Sequence, residues 1–181
     1  MPAPFDGSRP RLGRPDGYTA VSVTGPHQSD TPAGDVVVSE VTTVTPEVIE
    51  ALTSLVPQLS SSAPAPTGAD ITDIATSPAT VLLVARDDLG TIVGSLTLVL
   101  FRAPTGPRAW IEDVVVDDTT RGKGIGAALV RDALARATEA GARTVDLTSR
   151  PSREAANRLY IRLGFEHRAT NVYRWSDPQG G

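Results

Sequence analysis

The chain has no cysteine. That excludes disulfides, zinc–thiolate sites, iron–sulfur clusters and a cysteine nucleophile. Histidine is nearly absent as well: His27 and His167 are too few for a histidine-rich metal site, so no metal is expected. Positive charge is not in excess. Lys plus Arg number 17 against 21 Asp plus Glu, a net charge of −4. Without a basic field, neither nucleic acid nor an anionic membrane is an expected partner. No apolar run approaches the roughly 18 residues that a membrane helix needs. What remains is an ordinary balance for 181 residues, 40% hydrophobic and 21% charged. The length suggests one domain.

Glycine and proline, by contrast, are plentiful, at 16 and 15 residues. Their placement is uneven. Pro2, Pro4, Pro10, Pro15, Pro26 and Pro32 alternate with Gly7, Gly13, Gly17, Gly25 and Gly34. Between them Phe5, Leu12, Tyr18, Val21 and Val23 stand isolated. Such a stretch cannot offset its ordering entropy, so residues 1–34 are expected to be a disordered tail. Arg9, Arg11 and Arg14 are not followed by an apolar segment, so the tail does not read as a secretory signal. Asp6 and Asp16 argue against an organelle transit peptide. With no export signal and no span, the cytoplasm is the expected location. Residues 35–177 are expected to form the domain, with 178–181 a flexible C-terminus.

Val36–Thr43 is β-branched and apolar, a strand pattern. Thr45-Pro46-Glu47 then has a cap, a proline for the first helical position and an acid for the first turn. Val48, Leu52, Leu55 and Leu59 supply a helical stripe that Pro57 is expected to limit. Thr67 with Asp70 three residues on resembles a capping box, for a helix to about Ala75. Three strands follow, at 80–86, 91–102 and 108–117. Asp87-Asp88-Leu89-Gly90 forms a tight hairpin and residues 104–107 a longer one. A helix with Leu129, Ala133, Leu134 and Ala137 inward is stopped by Gly141. The pattern then predicts a strand over 144–148, a helix from Arg153 to Leu163 stopped by Gly164, and a last strand from His167 to Trp175. The fold class is α/β (α+β): a mixed, mainly antiparallel sheet flanked by helices.

One segment points to chemistry. Arg121-Gly122-Lys123-Gly124-Ile125-Gly126-Ala127 lies between a buried strand and a helix. The first amides of a helix have no intrahelical partner, and its dipole adds positive character there. Glycines let a pyrophosphate reach those amides, and Arg121 and Lys123 add charge. A Walker A loop fails here: Asp117 stands where its first glycine belongs, and Gly124 follows Lys123. A dinucleotide fingerprint matches through Gly122, Gly124 and Ala127, with Asp146 about 20 residues on. Its context is wrong, because the segment follows an antiparallel meander and too little chain remains for further parallel βαβ units.

Arg121-x-x-Gly124-x-Gly126, preceded by Val114-x-Val116, resembles the signature of the GCN5-related N-acetyltransferase (GNAT) superfamily. A second run, Ala156-Asn157-Arg158-Leu159-Tyr160-Ile161-Arg162-Leu163-Gly164-Phe165, resembles that superfamily's later signature. The resemblance spans about Val36–Trp175. One departure is Asp118, where the family often has proline. The resemblance implies a GNAT-like sheet with a splayed pair of strands that forms the site for acetyl-coenzyme A. It implies an N-acetyltransferase that transfers an acetyl group to a primary amine in a ternary complex. Arg121, Gly122, Lys123, Gly124, Ile125, Gly126 and Ala127 would then hold the pyrophosphate. The main chain of Val114, Val115 and Val116 would pair with the pantetheine arm, and an amide at or near Val116 would polarise the thioester carbonyl. Asn157 would contact the cofactor, and Tyr160, near the sulfur, would be the acid for the departing thiolate.

For the base, Glu112 resembles the strand glutamate of many relatives, with Asp113 behind it. Alternation predicts that the two point to opposite faces, Glu112 sharing its face with Trp110, Val114 and Val116. Of the later arginines, Arg150 or Arg153 would suit a coenzyme A phosphate. The first two helices, the 60–69 loop and the 103–107 hairpin would select the acceptor. Their few charges favour a small molecule or a peptide amine over a polycation. The alternative reading is a GNAT-fold module that binds or senses acyl-coenzyme A without turnover. Many relatives are dimers, so a homodimer stays open.

Overall fold

A computed structural model describes residues 36–59 and 64–177. The expected tail (1–34), part of the 60–69 loop and the C-terminus (178–181) lie outside or partly outside the described residues. The chain divides into two units, one ending at Thr148 and the other starting at Ser149.

The first unit contains the sheet. In chain order it has β1 (Val37–Glu40), α1 (Pro46–Leu59), α2 (Gly68–Thr76), β2 (Thr80–Arg86), β3 (Ile92–Ala103), β4 (Gly106–Val116), α3 (Ile125–Glu139) and β5 (Val145–Leu147). The spatial order is β1-β2-β3-β4-β5. All pairs are antiparallel except β4–β5, which is parallel. The meander follows from its turns. Asp87 Oδ1 accepts the amides of Leu89 (3.1 Å) and Thr91 (2.8 Å), which closes the first hairpin. The second hairpin is tighter than its four-residue sequence cue suggests, because Ala103 already pairs with Gly106.

Helix starts and stops follow local chemistry. Thr45 Oγ1 accepts the Val48 amide at the start of α1. Pro57 is inside α1, in its final turn, and the helix runs only two residues past it. The capping box of α2 is complete: Asp70 N–H donates to Thr67 Oγ1 (3.2 Å), and Thr67 N–H donates to Asp70 Oδ2 (2.8 Å). Gly141 ends α3 in the left-handed region at φ 76°.

The two faces of the sheet are covered by different helices. Val48, Leu52 and Leu55 of α1 and Ile71 and Ala75 of α2 pack with Leu82, Val84 and Val115. Leu83, Leu96 and Leu98 turn to the opposite face and are fully buried; each contributes about 1.5–3 kcal/mol. There α3 lies against β3 and β4 through Ile125 and Leu129. Arg136 of α3 bonds Glu40 of β1 at 2.9 Å and also pairs with Asp132.

Among the described residues the second unit has one helix, α4 (Glu154–Arg162). Gly164 (φ 90°) ends it with a Phe165 N–H to Tyr160 C=O bond of 3.0 Å. The strand expected from His167 to Trp175 does not form. Val172, Tyr173 and Trp175 are 74%, 88% and 80% exposed. Alternation is only half of a strand's requirement; the other half is a ladder, and no described strand pairs with this segment.

Candidate active site

The site is built where β4 runs into α3. Asp117 N–H donates to Val93 C=O at 2.9 Å, which fixes the end of β4. Asp117 Oδ1 then accepts the Thr119 amide at 2.9 Å and starts a single 3-10 turn, Asp118–Thr120. These bonds, the Thr119 hydroxyl first, hold the Asp117 carboxyl below its usual range; Gln58 adds to the effect. Gly122 and Gly124 follow at φ 82° and 79°, a region that side chains disfavour.

Gly124 is the N-cap of α3 and makes no side-chain cap bond. The first intrahelical bond is Ala128 N–H to Gly124 C=O, at 3.0 Å. The amides of Ile125, Gly126 and Ala127 therefore have no partner inside the helix. The side chains of Ile125 and Ala127 are buried and anchor this turn, while Gly122 and Lys123 are exposed. Arg121 is exposed too and pairs with Asp118, the residue that departs from the family pattern. Its charge is therefore shared with a carboxylate at the mouth of the turn.

β4 has two different halves. Ala109, Trp110 and Ile111 pair with Val145, Asp146 and Leu147 of β5. Beyond Ile111 this pairing stops, so along that edge Glu112–Val116 has no strand partner among the described residues. The main chain of Val115 and Val116 is thus without a described strand partner on one side and held by β3 on the other, while Val114 lies in the interrupted register between Glu112 and Val115. Such an edge can accept an extended ligand arm as a further strand. This is the splay that the resemblance implies.

A bulge separates the halves. Thr97 pairs with Glu112 but Ser95 pairs with Val115, so β4 holds one extra residue there. Asp113 absorbs it at φ 50°, the left-handed region that a non-glycine residue rarely enters. The bulge corrects the face assignment for Glu112. Ser95 and Thr97 share a face, so Glu112 shares its face with Trp110 and Val115. Val116, opposite Gly94, turns to the α3 face. Glu112 and Asp113 are both exposed. Trp110 Nε1 is buried with no hydrogen-bond partner among the described residues, beside the end of the β4–β5 ladder.

Two residues escaped the sequence reading. A Cβ on Gly94 would come within 3.0 Å of Val115 O and 3.2 Å of both Ile125 and Leu129. Gly94 therefore lets the first turn of α3 sit flat on the sheet. A glycine inside a β-branched strand was the available signal. The second is Gln58, which bonds the loop from α1. No local pattern marks it.

The second unit contains Asn157 and Tyr160. Asn157 Nδ2 donates to Arg150 C=O at 3.0 Å, so it also braces the turn before α4. The Tyr160 ring meets Phe165 edge to face, with centroids 5.8 Å apart. Burial raises the Tyr160 phenol above its usual range, and the positive charge of Arg153 opposes that rise. The phenol therefore stays protonated at neutral pH, as a proton donor must. Arg150 and Arg153 flank Pro151 and Ser152 at the entry to α4.

The acetyltransferase (GNAT) family matches residues 48–165, a span that includes the β4–α3 turn and α4. The chain belongs to that family. A mycothiol acetyltransferase from Propionibacterium freudenreichii subsp. shermanii is 34% identical over 91 residues, 50% of this chain and 29% of that protein. The chain thus spans under a third of the length of this relative. An acetyltransferase from Trypanosoma brucei is 26% identical with a TM-score of 0.63, covering 78% of this chain and 100% of that one. A protein from Agrobacterium tumefaciens str. C58, also 26% identical, reaches a TM-score of 0.68 over 77% and 99% of the two chains. Membership in the GNAT family supports acyl transfer as the reaction class. Among the described residues there is no group of three or more His, Asp or Glu that could hold a metal ion. No described helix is long and apolar enough to cross a membrane.

Proposed function

We propose that this chain is an acetyl-coenzyme A-dependent N-acetyltransferase that acetylates a primary amine of a small molecule or peptide. The observation that carries the reading is the bare N-terminus of α3 beside the open half of β4. The first suits a pyrophosphate and the second an extended amide-bearing arm, the two chemical features of coenzyme A. The amides at 124–127 would bind the pyrophosphate, with Lys123 and Arg121 adding charge. Val114, Val115 and Val116 would hold the arm, and an amide of this edge would polarise the thioester carbonyl.

In the reaction the amine nitrogen bonds the acetyl carbon, the carbon–sulfur bond breaks, and one proton moves from nitrogen to sulfur. Glu112, exposed on β4, is the residue assigned to accept the amine proton, directly or through water. Tyr160 is assigned to protonate the leaving thiolate; a half-buried, neutral phenol is suited to that role. Asn157 is assigned to cofactor binding. The mycothiol acetyltransferase relative supports a small-molecule acceptor.

The test is thiol release from acetyl-coenzyme A with a panel of amines, with products identified by mass spectrometry. Amine-dependent release is expected. Coenzyme A binding with no release by any amine would leave a binding module instead. Tyr160→Phe should lower kcat about 100-fold and spare cofactor affinity, as loss of a general acid does. Unchanged kcat would reduce Tyr160 to packing.

A further inference from the structure

Gln58 spans two elements that are 59 residues apart in sequence. It is half-buried in the last turn of α1, three residues after the core residue Leu55. Its Nε2 donates to Asp117 Oδ2 at 3.2 Å and to Ser54 C=O at 3.3 Å. Its Oε1 accepts the Asp118 amide at 2.9 Å. The side chain thus grips both the carboxylate and the following peptide at the point where β4 leaves the sheet. Asp117 in turn holds Thr119 through its other oxygen and Thr120 through its carbonyl. Four residues after Asp117 comes Arg121, and then the two left-handed glycines.

We infer that Gln58 is a positioning residue for the anion-binding turn, setting the angle at which Asp117–Gly124 presents the amides of α3 to a pyrophosphate. The inference rests on the coenzyme A reading of that turn. The physical reason is the geometry of an amide. A side-chain amide offers a donor and an acceptor on one planar group, and here each finds its complement: a carboxylate oxygen and a peptide N–H. An ionised acceptor strengthens the first bond, and Gln58 contributes to holding Asp117 ionised. The bridge also links the loop to α1, one of the helices that the resemblance assigns to acceptor choice. The buried side chains of Ile125 and Ala127 hold the far end of the turn, and Gln58 and Asp117 hold its start.

A polarity swap tests the pair. Gln58→Glu keeps the acceptor for Asp118 N–H but sets a second carboxylate against Asp117. Adding Asp117→Asn restores a donor–acceptor match in the reverse sense, since the introduced side-chain carbonyl can still accept from Thr119. Coenzyme A affinity by calorimetry on the full chain is the readout, with Tm measured alongside. Gln58→Ala should weaken binding about tenfold, and Gln58→Glu at least as much. Gln58→Glu with Asp117→Asn should return to within about threefold of the unsubstituted protein, the non-additivity expected of a direct pair. A merely structural Gln58 would lower Tm and leave the affinity of the folded protein unchanged; affinity within twofold in every variant overturns the inference. Equal losses in the single and double variants also overturn it. If the unsubstituted chain itself fails to bind coenzyme A, the proposed function falls with it, an outcome distinct from the other two.

Discussion

Two helices in the first unit begin in opposite ways. At α2 every local device is present: Thr67 accepts the Asp70 amide, and Asp70 reaches back to the Thr67 amide. At α3 the cap is Gly124, with no side chain to offer and no acid in the first turn. The cost of leaving a cap out is about 1 kcal/mol. That cost falls where the helix follows the one-sided half of β4. The pairing of a bare helix end with an open strand edge is what supports the proposed coenzyme A site. A bare end alone would be only a missing cap.

The comparison can be broken from either side. Gly124→Glu should have the largest effect. Its carboxylate would occupy the field meant for an anion, and coenzyme A binding should fall by at least about 100-fold. Gly124→Ala carries the backbone strain at φ 79° without the charge, so the gap between the two variants isolates the electrostatic part. Equal losses would show that strain alone is responsible. Thr67→Ala at the other helix should do the reverse: a loss of about 1 kcal/mol in urea unfolding with coenzyme A affinity unchanged. A change in affinity would mean that the two helix starts are coupled.

The smallest effect is on pH dependence. Asp70 and Asp117 both have carboxyl groups held below their usual range, Asp70 chiefly by the Thr67 hydroxyl. As pH falls, the unfolded chain protonates these groups first, so stability falls with it. Their contribution is complete above about pH 4 and is lost as pH drops through the native values. Thr67→Ala should make this acid limb shallower by removing the cause at Asp70, and leave the part due to Asp117. Denaturation midpoints between pH 2 and 6 would show it; parallel curves for the two proteins would refute it.

The elements that could be read from residues alone were those held by near neighbours. The capping box of α2, the Asp87 hairpin and the glycine stops at 141 and 164 depend on bonds within a few residues. The glycine turn at 122–124 belongs to the same class, because positive φ is a property of single residues. The last strand shows the limit of such patterns. The apolar residues at 172, 173 and 175 satisfy the local rule, yet strand structure also requires a second strand. Glu112 shows a subtler limit. Alternation gives its face correctly only up to the bulge, and the bulge is visible only from the register between β3 and β4.

By itself, then, the sequence determined the order of elements as far as α4, the glycine-rich turn and, through its two signatures, the family. Tertiary structure decided which face Glu112 and the valines of β4 present, how closely α3 approaches the sheet over Gly94, and what braces the turn from α1. The division has one physical cause. Caps, turns and glycine conformations are settled within a few residues, while register, close approach and the Gln58 bridge arise only when segments distant in sequence are packed together.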